Sequence, residues 1–308
     1  MNLLRRSIFA AALIAACAQQ AVAAEHPSFR VQVSGEGRTM ILIPGLASSG
    51  ATWDTTVDHY RTRFRCHVLT LAGFAGAPPI DAPLLATVRR ELADYIIQQK
   101  LDRPVIVGHS LGGTLAMSFA IEYPNLVGPL VIVDMLPFLA GPNMQVKTVA
   151  DAKPAIAAME AYMSKMTQTQ WDEGAKSGAS VRYMVTRPSD LETLITWSAT
   201  TDRATLIRAL AEVYGTDLRE TIAGILSPTL VLGTWRGIHD QLIANKIDVP
   251  RADFVKEFVA QYARLPRLHF ALHDTARHFI MWDDPMWFFN ELDAFLADPS
   301  LRVQHRGL

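Results

Sequence analysis

Cysteine is nearly missing: Cys17 and Cys66 are the only two in 308 residues, too few for a disulfide framework, and no paired Cys/His spacing suggests a structural zinc site. Net charge is missing as well. The 29 Lys and Arg against 30 Asp and Glu leave −1, so the chain lacks the field that gathers nucleic acid or anionic lipid, and a nucleic-acid partner is not expected. There is no G-x-x-x-x-G-K phosphate cradle, no dinucleotide glycine fingerprint and no H-E-x-x-H pair, so neither a cofactor nor a metal is expected. Polar low-complexity tracts are also absent. With 50% hydrophobic and 19% charged residues, the chain has the material for a buried core, which argues against disorder and against a solenoid.

What is present begins with an address. Arg5 and Arg6 precede the apolar run Ile8 to Ala16, and Ala21-Val22-Ala23 offers the small residues a signal peptidase accepts, so residues 1–23 read as an export signal. The run is shorter than the roughly 20 residues that cross a bilayer, so no transmembrane span is expected. Ile14-Ala15-Ala16-Cys17 also resembles a bacterial lipobox; on that alternative the signal ends at 16 and Cys17 carries a lipid anchor. Cys66, the other cysteine, within Arg65-Cys66-His67-Val68, reads as a packing residue of a strand.

Beyond the leader the texture alternates. Phe29 to Val33, Met40 to Ile43, Cys66 to Leu71, Pro104 to Val107 and Leu130 to Val133 read as strands, while Pro83 to Lys100 and Leu111 to Tyr123 have helical spacing. This pattern predicts an α/β fold with a mostly parallel sheet covered by helices on both faces. From 137 to 224 the strand signal stops and helical spacings take over, rich in Met and Trp. Sheet texture returns at Thr229 to Leu232 and Leu268 to Leu272, with helices from about Arg251 to Arg264 and after Asp284-Pro285. The core is therefore expected to be formed by 26–136 and 225–300, with 137–224 as an inserted helical cap.

Gly108-His109-Ser110-Leu111-Gly112-Gly113 follows one predicted strand and opens a helix, the context in which G-x-S-x-G forms a nucleophile elbow. The sharp turn lifts the Ser110 hydroxyl into solvent, and glycines on either side let strand and helix approach closely. The helix N-terminus favours negative charge, and the Leu111 N–H is placed to meet a carbonyl oxygen as it becomes an oxyanion. His109, too close to turn back on its neighbour, is expected to line the pocket.

On these residues the chain resembles the α/β-hydrolase superfamily, from the strand at Met40 to the C-terminal helix. The resemblance implies a second oxyanion donor in Pro44-Gly45-Leu46-Ala47-Ser48-Ser49, where the N–H of Leu46 has the right position, although this chain has Pro-Gly where the family usually has His-Gly. Trp53 resembles an aromatic often found nearby, but is expected in the core. A serine needs a base, and among nine histidines His278, after the last strand, has the placement that the family gives its base. The carboxylate behind it has three candidates. Asp240, in a loop after Thr229 to Leu232 that reads as enlarged, is favoured because the family usually carries its acid there; Asp134, ending the strand Val131 to Val133, is the alternative; Asp248 reads as a helix N-cap. The resemblance implies an acyl-enzyme hydrolase acting on a small apolar ester-like substrate selected by the cap. Other acyl or carbon–carbon hydrolases on the same chassis, or a binding protein without turnover, are the alternatives.

Overall fold

The computed structural model describes residues 26–244 and 248–298; the leader pattern of 1–23 and Cys17 lie outside them. Seven strands among these residues form one sheet: β1 (Phe29–Ser34), β2 (Arg38–Ile43), β3 (Phe64–Leu71), β4 (Val105–His109), β5 (Leu130–Val133), β6 (Thr229–Thr234) and β7 (Leu268–His273). Their order is β1-β3-β2-β4-β5-β6-β7. Only β1 runs antiparallel, and every other neighbouring pair is parallel. The fold class is thus the expected α/β arrangement.

The central strands read as unbroken apolar runs because helices cover both faces, and side-chain parity decides which core each residue joins. Ile41, Ile43, Ile106, Leu130, Ile132 and Val231 pack on one side, under α2 (Leu84–Gln98) and α3 (Leu111–Glu122). Met40, Leu42, Cys66, Val107, Val131 and Leu232 pack on the other, under α1 (Asp54–Tyr60) and the C-terminal α12 (Pro285–Ala297). Trp53 is fully buried in this second core, as expected. Cys66 is buried there too, and burial pushes its thiol up to about 11, which leaves it protonated and inert.

Between β5 and β6 lies the helical insert: α4 (Ala140–Met144), α5 (Val149–Lys165), α6 (Gln168–Ser177), α7 (Pro188–Thr200) and α8 (Arg203–Tyr214). Three of its helices begin at side-chain caps. Thr148 with Asp151 and Thr167 with Gln170 form capping boxes at α5 and α6, and the Asp202 carboxylate accepts from Thr205 N–H at the start of α8. Some of the insert's Met and Trp side chains serve the insert itself: Trp171 lies under the Arg203 guanidinium, 4.9 Å from its ring centre, and Met144 packs against the small cluster that holds Phe138 and Ile156. Met184 and Trp197 instead pack against the second core, next to the last loop of the sheet.

After β6 the chain does not form the enlarged loop read from the sequence. It turns directly into α9 (Arg236–Ala244), followed by α10 (Arg251–Ala260), and α11 (Ile280–Asp283) precedes α12. Gly237 hides α9 in the sequence because glycine disfavours helix interiors. The glycine is there for space: a Cβ would lie 3.2 Å from both the His278 amide nitrogen and Thr234 Oγ1. Asp248 is exposed and is not the N-cap of α10; Pro250 holds that position. No helix among the described residues is long and apolar enough to cross a membrane.

Candidate active site

The parallel strands point their carboxyl ends to one rim; Ser110 and Asp134 directly follow the ends of β4 and β5, and Leu46 and His278 lie in the segments that follow β2 and β7. In register, Ile43 faces Gly108, His109 faces Val133, Val133 faces Leu232, and Thr234 faces His273. The residues that follow these ends are therefore neighbours in space although far apart in the chain.

Ser110 occupies the turn from β4 into α3 with φ 54° and ψ −122°, a conformation that a side-chain-bearing residue holds only under constraint. Three hydrogen bonds impose it. The Ser110 N–H donates to the Val133 carbonyl at 2.9 Å, while its own carbonyl accepts from Gly113 at 2.7 Å and Thr114 at 3.2 Å to start the helix. The flanking glycines are a steric requirement. A Cβ on Gly108 would meet the Gly112 carbonyl oxygen at 2.1 Å, and one on Gly112 would meet that of Ile43 at 2.3 Å. The loop after β2 closes against this elbow: a Cβ on Gly45 would stand 3.1 Å from the Ser110 Cβ. Leu46 is the next residue of that loop. Ala47 has φ 54°, and the Ser48 hydroxyl donates to the Leu46 carbonyl at 3.1 Å, fixing the peptides next to Leu46. Leu111 is the first helical residue, so its N–H has no intrahelical acceptor.

The carboxylate beside His278 is Asp134. Its Oδ2 lies 2.6 Å from His278 Nδ1, and it ends β5 in a left-handed conformation, φ 48°, with its N–H donating to the Leu232 carbonyl at 2.7 Å. The other oxygen accepts from the Thr234 N–H at 3.0 Å, so both oxygens are aimed by neighbouring strands. An ionised carboxylate only accepts, so Nδ1 of His278 carries the proton and Nε2 is the basic nitrogen. The preference for Asp240 is thereby corrected. Asp240 lies one helical turn after Arg236 on α9 and accepts from Arg236 Nε at 2.9 Å and from Arg277 Nη2 at 3.0 Å; its charge is spent on the two guanidinium groups.

His109 also departs from expectation. It does not line a pocket: it is fully buried, and its Nε2 donates to the backbone carbonyl of His278 at 3.0 Å, with the two rings 4.5 Å apart. Burial, reinforced by the neighbouring His278, holds its pKa well below the ordinary imidazole value, so it is a neutral strut between the strand that ends at Ser110 and the loop that carries His278. That loop has a further support. His273 Nδ1 accepts from the N–H groups of Thr275 and Ala276 at 3.1 and 2.8 Å, which leaves Nε2–H to donate to Asp284 Oδ2 at 3.0 Å. Sequence reading missed this brace, as it missed Thr234 and Arg277, because none belongs to a motif. Among the described residues no group of three or more His, Cys, Asp or Glu is placed to hold a metal.

A strained serine between strand and helix, with an imidazole–carboxylate pair on the same rim of a parallel sheet, defines the α/β-hydrolase class. The comparison with family models places the chain in it: residues 40–291 match the Alpha/beta hydrolase family, and the protein belongs to that family. It is similar to the pimeloyl-[acyl-carrier protein] methyl ester esterase of Vibrio atlanticus, at 34% identity over 35% of this chain and 40% of the relative. The match thus spans about two fifths of that esterase's length. N-formylmaleamate deformylase of Pseudomonas putida is 24% identical over 87% of this chain and 92% of that protein. Among solved structures, a bromoperoxidase from Bacillus anthracis superposes with a TM-score of 0.70 at 18% identity, covering 88% of this chain and 95% of that one. An enol-lactonase from Burkholderia xenovorans reaches 0.69 at 14% identity, covering 88% and 96%.

Proposed function

We propose that this protein is a serine hydrolase that cleaves a carboxylic ester through an acyl-enzyme. The observation that carries the reading is the 2.6 Å contact between His278 Nδ1 and Asp134 Oδ2 on the rim where Ser110 is held at positive φ. His278 Nε2 takes the Ser110 proton as Oγ attacks the ester carbonyl, and Asp134 stabilises the imidazolium that forms. The N–H groups of Leu46 and Leu111 receive the oxyanion. The imidazolium then protonates the leaving alkoxide, and the same base activates water to release the acid. Esterase chemistry in the Vibrio relative supports the substrate class, and Met184 and Trp197, packed on the core that holds Phe279, add apolar surface to that side of the molecule. The leader pattern of residues 1–23 supports an exported enzyme, which fractionation with mass measurement of the mature chain tests.

A fluorophosphonate probe tests the nucleophile. Labelling of the wild type at Ser110, lost in Ser110→Ala, is the expected result; an unreactive serine in the folded protein would leave a binding function instead. A second reading is favoured by one observation, that the relative matched over 92% of its length is an N-formylmaleamate deformylase. On this reading the same set of groups releases a formyl group from nitrogen. Turnover of a panel of p-nitrophenyl esters against N-formyl amides separates the two.

A further inference from the structure

His278 is flanked by two residues that both bond to the cap. The Phe279 N–H donates to the Met184 carbonyl at 3.1 Å. On the other side, Arg277 Nη1 donates to the Val185 carbonyl at 2.8 Å and the Arg182 carbonyl at 3.1 Å. A third tie comes from Asp283: one oxygen accepts the N–H and hydroxyl of Thr186 at 2.9 and 2.7 Å, and the other accepts the Arg277 N–H at 2.7 Å. Asp240 completes the arrangement by taking Arg277 Nη2 at 3.0 Å. The turn 182–186, just before α7, is thereby bonded to the backbone or side chain of every residue that brackets the base, while Val185 is buried against the same core as Phe279.

The chemistry of Arg277 fits this duty. Its side chain is 22% exposed, and its Nε is buried with no hydrogen-bond partner among the described residues. A guanidinium in that state is a poor source of stability, because desolvation offsets the attraction to its partners; its value is geometric, since a rigid fork can hold two carbonyls and a carboxylate at once. Asp240 supplies the opposite charge that makes such burial tolerable.

We propose that Arg277, oriented by Asp240, is a positioning residue that latches the cap turn 182–186 onto the loop carrying His278, so that seating the cap and aligning the base are a single event. This rests on the serine-hydrolase reading for its catalytic consequence but not for the latch itself, and the test keeps the two apart. Arg277→Met, Arg277→Lys and Asp240→Asn are compared with the wild type by amide hydrogen exchange and by turnover of p-nitrophenyl acetate per site titrated with fluorophosphonate. In Arg277→Met, exchange at Phe279 and Thr186 should accelerate while the amides of β4 and β5 keep their protection. Turnover per titrated site should fall by about 10- to 100-fold, the cost of a base displaced by about an ångström. Arg277→Lys should lose less, since an ammonium keeps the charge and can still reach a carbonyl but lacks the fixed fork, and Asp240→Asn should show the same changes at smaller size. Normalising to titrated sites removes loss through misfolding, which lowers the number of sites and not their rate. Wild-type exchange at Phe279 and Thr186, with wild-type turnover per site, in Arg277→Met would overturn the latch; should that variant not fold, the same result in Asp240→Asn would do so. If the wild-type serine does not label, the hydrolase reading fails, and the exchange data alone decide the latch.

Discussion

Replacing Asp134 by Asn puts an amide where His278 Nδ1 now finds an acceptor at 2.6 Å. The amide supports the wrong tautomer, and kcat is expected to fall about 10³- to 10⁴-fold with the fold intact. Steady-state kinetics beside far-UV circular dichroism checks this. Asp240→Asn touches the base only through Arg277 and should cost far less; equal losses in the two variants would return Asp240 to the role that the sequence first suggested. Gly112→Ala is the steric counterpart. Its methyl would stand 2.3 Å from the Ile43 carbonyl oxygen, so α3 must shift away from β2 and carry Ser110 with it. Loss of fluorophosphonate labelling in a folded variant is the expected outcome. Ser110, His278 and the two glycines were legible because their chemistry is written in a contiguous motif or in the placement of one histidine after the last strand. Which carboxylate stands beside His278 was not, because two aspartates follow adjacent strands and only the third dimension shows that Arg236, one helical turn before Asp240, has already claimed it.

Elements announced themselves according to how completely they are buried. The central strands, covered on both faces, are short continuous apolar runs, and each lies within a few residues of where the sequence placed it. The strand leading to the serine runs on through Gly108 and His109 because pairing with β2 and β5 continues to the elbow. Helices α1, α9 and α11 escaped notice: each is nine residues or fewer, too short to show a period of 3.6 clearly. Helix α12 was legible from Asp284-Pro285, and the Asp284 carboxylate does accept from the Trp287 N–H at 3.0 Å. Its fully buried Phe288 anchors the C-terminal end to the second core. Phe288→Ala should therefore cost about 3–5 kcal/mol of unfolding free energy, measured by urea titration. A loss below 1 kcal/mol would mean that this helix contributes little to the cooperative unit.

For the molecule as a whole, two buried histidines set a pH dependence of stability. Burial, with the charge of Arg65, lowers His67 to about 4, and burial with the nearby His278 holds His109 far below its ordinary value. In the unfolded chain each titrates near 6.5, so the unfolded state binds protons first as the pH falls. Their contribution is intact above about 6.5 and is lost as the pH drops toward each folded value, at no more than about 1.4 kcal/mol per pH unit for each group. Urea midpoints should therefore decline between pH 7.5 and 5, and less steeply in His67→Gln. A flat profile over that interval would contradict the neutral, buried state of both rings.

The strand order has a consequence for how the site comes into being. Ser110 and Asp134 belong to neighbouring strands and are only 24 positions apart, whereas the imidazole arrives after the entire insert, from the opposite side of β6. A ribosome-bound chain that has not yet reached residue 278 has the Ser110 hydroxyl and the Asp134 carboxylate but not the imidazole that, in the proposed mechanism, takes the serine's proton. On the proposed mechanism the site is therefore complete only late in synthesis, once the loop after β7 docks beside Asp134.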